Sequence, residues 1–163
     1  MTLPDANHLT PAVAAYLGDA IYELSVRQWG IAHLSHNHTL SPKQLHAFTT
    51  QRVSAAYQAR VLQALCPLLN PQETEWVRRA RNLPTKAAKQ GHQIIHRHAT
   101  ALEALVGWWH CHDPKRLQLL EAYWPPEALE TLNAQTLTND TEAGAPNTTG
   151  ADAEREPHRH PLE

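Results

Sequence analysis

Apolar residues along the chain recur at spacings of three and four, which is the period of an amphipathic helix. No segment shows the alternation of apolar and polar residues between hairpin turns that would predict strands. The pattern therefore predicts an all-α protein, a helical bundle. The predicted helices cover residues 11–29, 42–49, 54–66, 71–81, 91–111 and 114–123, with a weaker one at 126–132.

Four of these helices begin at a proline that follows a residue able to cap a helix. Proline lacks the N–H that would stay unpaired in the first turn, and the preceding side chain can accept from the other free N–H groups. Ser41 with Gln44 and Asn70 with Glu73 also have the spacing of a capping box. The four pairs are Thr10–Pro11, Ser41–Pro42, Asn70–Pro71 and Asp113–Pro114.

The first helix carries a carboxylate, Asp19, in a mostly apolar segment. Beside it lies Gly18, whose place in mid-helix costs free energy unless another backbone or a ligand approaches closely. Two interpretations remain open: a solvated helix edge, or a carboxylate that pairs with something. Helical projection predicts a core face of Val13, Leu17, Ala20, Ile21 and Leu24, and beside it a strip of Ala12, Tyr16, Asp19 and Glu23.

The helix at 91–111 repeats this arrangement, with Glu103 one turn before Gly107 on one helix face. If the two helices pack side by side, Asp19 and Glu103 meet. Two carboxylates at short range repel each other unless a divalent cation lies between them. Hard oxygen ligands with few nitrogens suit Mg²⁺ or Mn²⁺.

Two short motifs carry a family resemblance: LGDAIYE at 17–23 and LEALVG at 102–107 resemble the two acidic signatures of ribonuclease III catalytic domains. The closer match is to the Mini-ribonuclease III family, which has the nuclease domain without a double-stranded-RNA-binding domain. The resemblance spans about residues 9–125. Supporting stretches are AYLGDAIYELSVR, LHAFTTQRVSAAYQARVL, RRARN and HRHATALEALVGWW.

The resemblance implies a ribonuclease III endonuclease domain in which Asp19 and Glu103 are catalytic and bind Mg²⁺, with Mn²⁺ as a substitute. It implies hydrolysis of double-stranded RNA, with the 23S ribosomal RNA precursor as natural substrate and a ribosomal protein as a partner that can present it. Longer ribonuclease III proteins carry further acids where this chain has Ala12, Ala15 and Thr100. These departures favour the short family and leave the number of metals open.

The family also forms a homodimer, and a surface of Tyr16, Ala20 and Tyr22 on the first helix is the candidate interface. Glu23 has two interpretations, an outer ligand or a structural acid on the helix surface.

A basic run without acids occupies residues 77–93. Such a run is often only a solvated face, but beside the two acidic motifs it predicts contact with RNA phosphates and 2′-hydroxyls. In the family this region matches a substrate-contacting loop. The candidate RNA-binding residues are Arg78, Arg79, Arg81, Asn82, Lys86 and Lys89.

Length and charge set the domain organisation. The 163 residues suit one domain. Residues 1–125 carry 12 basic and 8 acidic side chains, whereas 126–163 carry 2 and 8. We predict a catalytic domain at 1–132 and a disordered acidic tail at 133–163, which is too poor in large apolar residues to fold.

Two cysteines, no signal peptide and no long apolar run predict a cytoplasmic protein with no membrane span. The histidine-rich stretches HLSHNH and HCHD fit zinc spacing poorly. A different class of function also stays open, a non-catalytic RNA-binding or ribosome-associated module with the same fold, although such a module gains little from acids that face phosphate.

Overall fold

The computed structural model describes residues 9–34, 41–84, 90–128 and 130–132, without the side chains of 90–92. These residues form helices and short connections, with no β-strand among them, so the predicted all-α class is confirmed. The helices are α1 (Pro11–Leu34), α2 (Pro42–Arg52), α3 (Ala55–Leu65), α4 (Pro71–Arg81) and α5 (Gln90–His112), with 3₁₀ helices at Cys66–Leu68 and Pro114–Tyr123.

Two helix starts follow the predicted local chemistry closely. At α2, Gln44 N donates to Ser41 Oγ (3.3 Å) and Ser41 N donates to Gln44 Oε1 (3.0 Å). At α4, Glu73 N donates to Asn70 Oδ1 (2.9 Å) and Asn70 N donates to Glu73 Oε2 (2.8 Å). Both are reciprocal capping boxes, so these two predictions are confirmed.

The other two starts differ from each other. Thr10 caps α1, because its Oγ1 accepts from Val13 N at 3.3 Å. Asp113 makes no capping hydrogen bond through its side chain, and the segment after it winds as a 3₁₀ helix. The prediction of a cap at Asp113 is wrong, since its own backbone N–H continues α5 by donating to Trp109 O at 2.8 Å.

The central packing of the fold joins α1 to α5, with α3 and α4 also packed on α5. Since α5 contacts all three, its middle from Ala101 through Trp109 is buried, except that Glu103 is only half-buried. Glu73 ties α4 to this core, because its Oε1 accepts from Trp109 Nε1 (2.7 Å) and from Arg116 Nε (2.8 Å). The helix that carries one candidate carboxylate is therefore the axis of the bundle.

The predicted core face of α1 is confirmed only in part. Leu17 and Ile21 are half-buried, and Ile21 packs against the core, whereas Ala20 is exposed. Val13 and Leu24 are each 51% exposed. The face that packs on α5 consists of smaller residues around one tyrosine, because the two helices approach too closely for large side chains. The buried residues of α1 are Pro11, Ala14, Ala15, Gly18, Tyr22, Val26 and Gly30.

The predicted tail, 133–163, lies outside the described residues, and so do Lys86, Lys89, His36 and His38. Within the described ranges, no helix is both long and apolar enough to cross a membrane.

Candidate active site

Two glycines set the distance between α1 and α5. A Cβ atom at Gly18 would overlap the carbonyl oxygen of Glu103 and lie 2.7 Å from Gly107 N. A Cβ atom at Gly107 would overlap the carbonyl oxygen of Ala14 and lie 3.1 Å from Gly18 N. The helix backbones therefore touch each other at this level, which only glycine permits at both positions.

This contact places Asp19 and Glu103 side by side. Asp19 follows Gly18 directly and is exposed, while Glu103, whose backbone Gly18 touches, is half-buried. The two carboxylates lie close enough that the charge of Asp19 acts on Glu103. The first helix therefore needs its mid-helix glycine to bring a carboxylate from each motif to one point.

Glu103 is the acid whose protonation this geometry changes. Burial, followed by repulsion from Asp19, raises the pKa of Glu103 from 4.5 to about 7, and the nearby side-chain amide of Gln58 opposes the rise. Near neutral pH its carboxyl group is therefore partly protonated, and a cation beside it would favour the ionised form.

The donor set of the pair fits a hard divalent cation. It offers two carboxylates, and the described residues contain no group of three or more His, Cys, Asp or Glu side chains that could hold a metal. A cation held by only two protein carboxylates keeps positions for water and for phosphate oxygens, as Mg²⁺ sites do. Asp19 and Glu103 would hold it.

Glu23 is already paired. Its Oε1 accepts from Arg27 Nε at 2.9 Å and also from Nη2 of the same guanidinium, one turn further along α1. This exposed pair gives Glu23 a structural contact on the helix surface.

A basic cleft of about 310 Å³ opens between the end of α4 and the first half of α5. His98 is half-buried there, and its pKa is lowered by burial and then by the charge of Arg81. No carboxylate is among the described residues that line the cleft, and its arginines favour an anion there. The residues that line it are Arg78, Arg81, Asn82, Ile94, Arg97 and His98.

The predicted RNA-binding residues differ in availability. Arg81 and Asn82 are exposed and line the cleft. Arg78 also lines it but donates to both carboxylate oxygens of Glu75, at 2.7 Å each. Arg79 lies over the ring of Trp76, with its guanidinium carbon 5.3 Å from the ring centroid.

Sequence reasoning missed three polar residues. Arg97 and His98 belong to the cleft but lie on α5, outside the basic run. Gln58, beside Glu103, is only 2% exposed. The sequence does contain a signal for Gln58. Val61, Leu62 and Leu65 follow it at helical spacing, so a polar residue lies on an apolar helix face.

The helical architecture and the paired acidic motifs define a nuclease domain of the ribonuclease III class. A family model described as Ribonuclease III domain matches residues 12–114. In the solved structures, a crystal structure of a Fusobacterium nucleatum protein superposes with a TM-score of 0.60 and 22% identity, covering 72% of this chain and 95% of that one. That likeness concerns the fold alone.

Curated relatives assign the chain to one family within this class. A Mini-ribonuclease 3 from Synechocystis sp. is 34% identical over 122 residues, 73% of this chain and 80% of the relative. One from Brevibacillus brevis is 43% identical over 105 residues, 64% of this chain and 75% of the relative. The chain belongs to the Mini-ribonuclease 3 family and is an endoribonuclease. This favours the enzyme over the non-catalytic module.

Proposed function

We propose that this protein is a Mg²⁺-dependent endoribonuclease that cleaves double-stranded RNA, with Mn²⁺ able to replace Mg²⁺. The observation that carries the proposal is the meeting of Asp19 and Glu103 across the Gly18–Gly107 contact. Two carboxylates that repel each other in a half-buried site are unfavourable without a cation, and the fold brings them together nonetheless.

In this proposal two carboxylates bind the cation, and the packing of α1 on α5 orients them. Asp19 and Glu103 would hold the cation, and the cation would supply activation of a water molecule and neutralisation of charge on the phosphate. Glu103 must be ionised to do so, so its raised pKa makes protons compete with the cation. The backbone contact of α1 and α5 keeps the carboxylates in register before RNA arrives.

The basic cleft is the proposed RNA-binding surface. Arg81, Asn82 and Arg97 offer donors that suit phosphates and 2′-hydroxyls and read no base sequence. Arg97 and Glu103 lie six residues apart on α5, about 9 Å along its axis. Because six residues turn the helix by about 600°, the two side chains also point about 120° apart, so the duplex would cover the surface of α5 between them to reach the cleft. Arg78, Arg79, Lys86 and Lys89 complete the proposed RNA-binding set.

A homodimer is the proposed assembly, because α1 exposes an apolar face. Val13 and Leu24 lie on it together with Ala20, and Tyr16, 86% exposed, flanks it. Tyr22, the third residue of the predicted interface, is not available, since it is fully buried and its hydroxyl donates to Arg52 O at 3.3 Å. Two copies would bring two sites to the two strands of one duplex.

The family resemblance supports the 23S ribosomal RNA precursor as the natural substrate, with a ribosomal protein as a possible partner in presenting it. The experiment compares an RNA that contains the paired ends of this precursor with an unrelated duplex of equal length and with single-stranded RNA, each with Mg²⁺ or EDTA. We expect cleavage of duplexes with Mg²⁺ only, and the fastest cleavage of the precursor stem.

Asp19→Asn tests the site, and Glu23→Gln is its matched control, since both remove one carboxylate from the same helix. We expect Asp19→Asn to lower the cleavage rate at least about a hundredfold and Glu23→Gln to leave it within about twofold. In the same assay Arg97→Gln should raise the RNA concentration for half-maximal cleavage, whereas Lys43→Gln on α2 should not. Cleavage in EDTA, or by Asp19→Asn at the wild-type rate, contradicts the proposal; binding of duplex without cleavage favours a non-catalytic module.

A further inference from the structure

Gln58 is a buried polar side chain that the proposed function does not yet use. It lies on α3, is 2% exposed, and sits among the buried apolar side chains of that helix. Its amide nitrogen, Nε2, is buried and has no hydrogen-bond partner within the described residues. Burying an amide nitrogen without a partner costs free energy, so such a group calls for an explanation.

The neighbouring carboxylate of Glu103 explains this buried amide. α3 packs on α5, and the side chain of Gln58 lies within reach of the Glu103 carboxylate, although its Nε2 meets no full hydrogen-bond geometry there. Glu103 is thus flanked from two helices, by the charge of Asp19 on α1 and by the amide of Gln58 on α3. An amide nitrogen carries two donor hydrogens, which pair best with an ionised carboxylate.

We propose that Gln58 is a positioning residue, which donates from Nε2 to the Glu103 carboxylate and fixes the orientation in which that carboxylate, with Asp19, binds the divalent cation. The inference rests on the proposed function. Because Gln58 is immobilised in the core, it can hold a half-buried carboxylate whose other neighbour repels it. Partners of this kind behind metal-binding carboxylates typically contribute a factor of about 10 to 100 in metal affinity.

The test replaces the amide by an apolar side chain of similar length, Gln58→Met, with Gln58→Leu as a second variant. Gln72→Leu, on the exposed surface of α4, is the matched control. Mn²⁺ binding is measured by calorimetry without RNA, and the thermal stability of each variant is measured in EDTA. Cleavage is then followed at increasing Mg²⁺ concentration.

We expect Gln58→Met to keep close to wild-type stability in EDTA, because the lost contact with Glu103 is offset by the removal of a buried amide from an apolar core. Its Mn²⁺ affinity should nevertheless fall about 10- to 100-fold, and the Mg²⁺ concentration for half-maximal cleavage should rise by a similar factor, with the rate largely restored at saturation. A merely structural role would lower stability and leave the affinity of the folded protein unchanged.

The outcomes separate the two proposals. If the wild type binds Mn²⁺ and both Gln58 variants bind it equally well, the positioning role is overturned while the proposed function stands. If the wild type binds Mn²⁺ no better than Asp19→Asn does, the metal site itself is overturned, and the role of Gln58 falls with it.

Discussion

At the scale of single residues, the proton on Glu103 connects the candidate site to folding. Its pKa of about 7 in the folded protein lies above the 4.5 of an ordinary carboxyl. The folded protein therefore binds this proton more tightly than the unfolded chain does. The stabilisation is fully present below pH about 4.5 and is lost as the pH rises through about 7.

The direction of this pKa shift predicts how the free energy of unfolding changes with pH. In EDTA, the free energy of unfolding of the wild type minus that of Glu103→Gln should fall between about pH 5 and about pH 8, as measured by urea denaturation. Adding Mg²⁺ at the higher pH should stabilise the wild type more than the variant, because the cation binds the ionised pair.

Asp19→Asn serves as the control for the cause of the shift. It should show a weaker pH dependence than the wild type, because the repulsion is removed while the burial of Glu103 remains. A difference between wild type and Glu103→Gln that stays constant over this pH range would contradict the assignment.

At the scale of helices, the site depends on how closely two backbones approach. The free energy that a glycine costs in mid-helix is offset at Gly18 and Gly107 by a contact that no other residue allows. Gly30, which lies on α1 like Gly18, contacts a side chain and not a backbone. A Cβ there would lie 3.1 Å from ring atoms of Phe48, a side chain that can shift.

Alanine substitutions should therefore separate these glycines. Gly18→Ala and Gly107→Ala force backbone apart and should lower the free energy of unfolding by at least about 3 kcal/mol. Gly30→Ala should change it by no more than about 1 kcal/mol, since better helix propensity offsets mild crowding. Chemical denaturation measures all three, and equal effects at the three positions would refute the close-approach argument.

At the scale of the whole molecule, the surface of α1 opposite the core carries exposed apolar side chains. Val13 and Leu24 lie there at helical spacing, half exposed. A second copy of the chain on this face would bury them. The apolar residues of α1 would then form two buried faces, one inside the subunit and one between the subunits.

A charge on this face should separate the subunits. Leu24→Glu is expected to give a particle of the single-chain mass, 18.3 kDa, by light scattering, while the wild type gives twice that mass. Leu68→Glu is the control, because Leu68 is 53% exposed, almost the same as Leu24, but lies on the 3₁₀ helix after α3. A wild-type monomer, or a dimer that survives Leu24→Glu, would contradict the proposed assembly.

Local signals in the sequence were sufficient for most helix starts, and they marked the two acids that we propose bind the cation. Ser41 and Asn70 cap helices through hydrogen bonds that span three residues, so the sequence alone contains both partners. Asp19 directly follows Gly18, and Glu103 comes one turn before Gly107, so each acid has a mid-helix glycine nearby. Asp113 has the same local signal as the other caps, yet its side chain makes no capping hydrogen bond, and its backbone N–H donates to Trp109 O at the end of α5.

Contacts between distant parts of the chain explain what the sequence left undecided. Periodicity found two classes of position on α1 but could not tell which apolar face meets α5, because only the backbone approach at Gly18 selects the face of small residues. The amide of Gln58 likewise acquires its role from Glu103, 45 positions away.

The sequence by itself thus determined an all-helical chain and most helix starts, and it marked the two acids of the proposed metal site, since these signals lie within a turn or two of helix. Only the tertiary structure decided which side of α1 is buried, which α5 residues join the basic cleft, and how strongly Glu103 holds its proton. Burial and charge–charge repulsion arise from neighbours that folding brings together, so no local pattern encodes them.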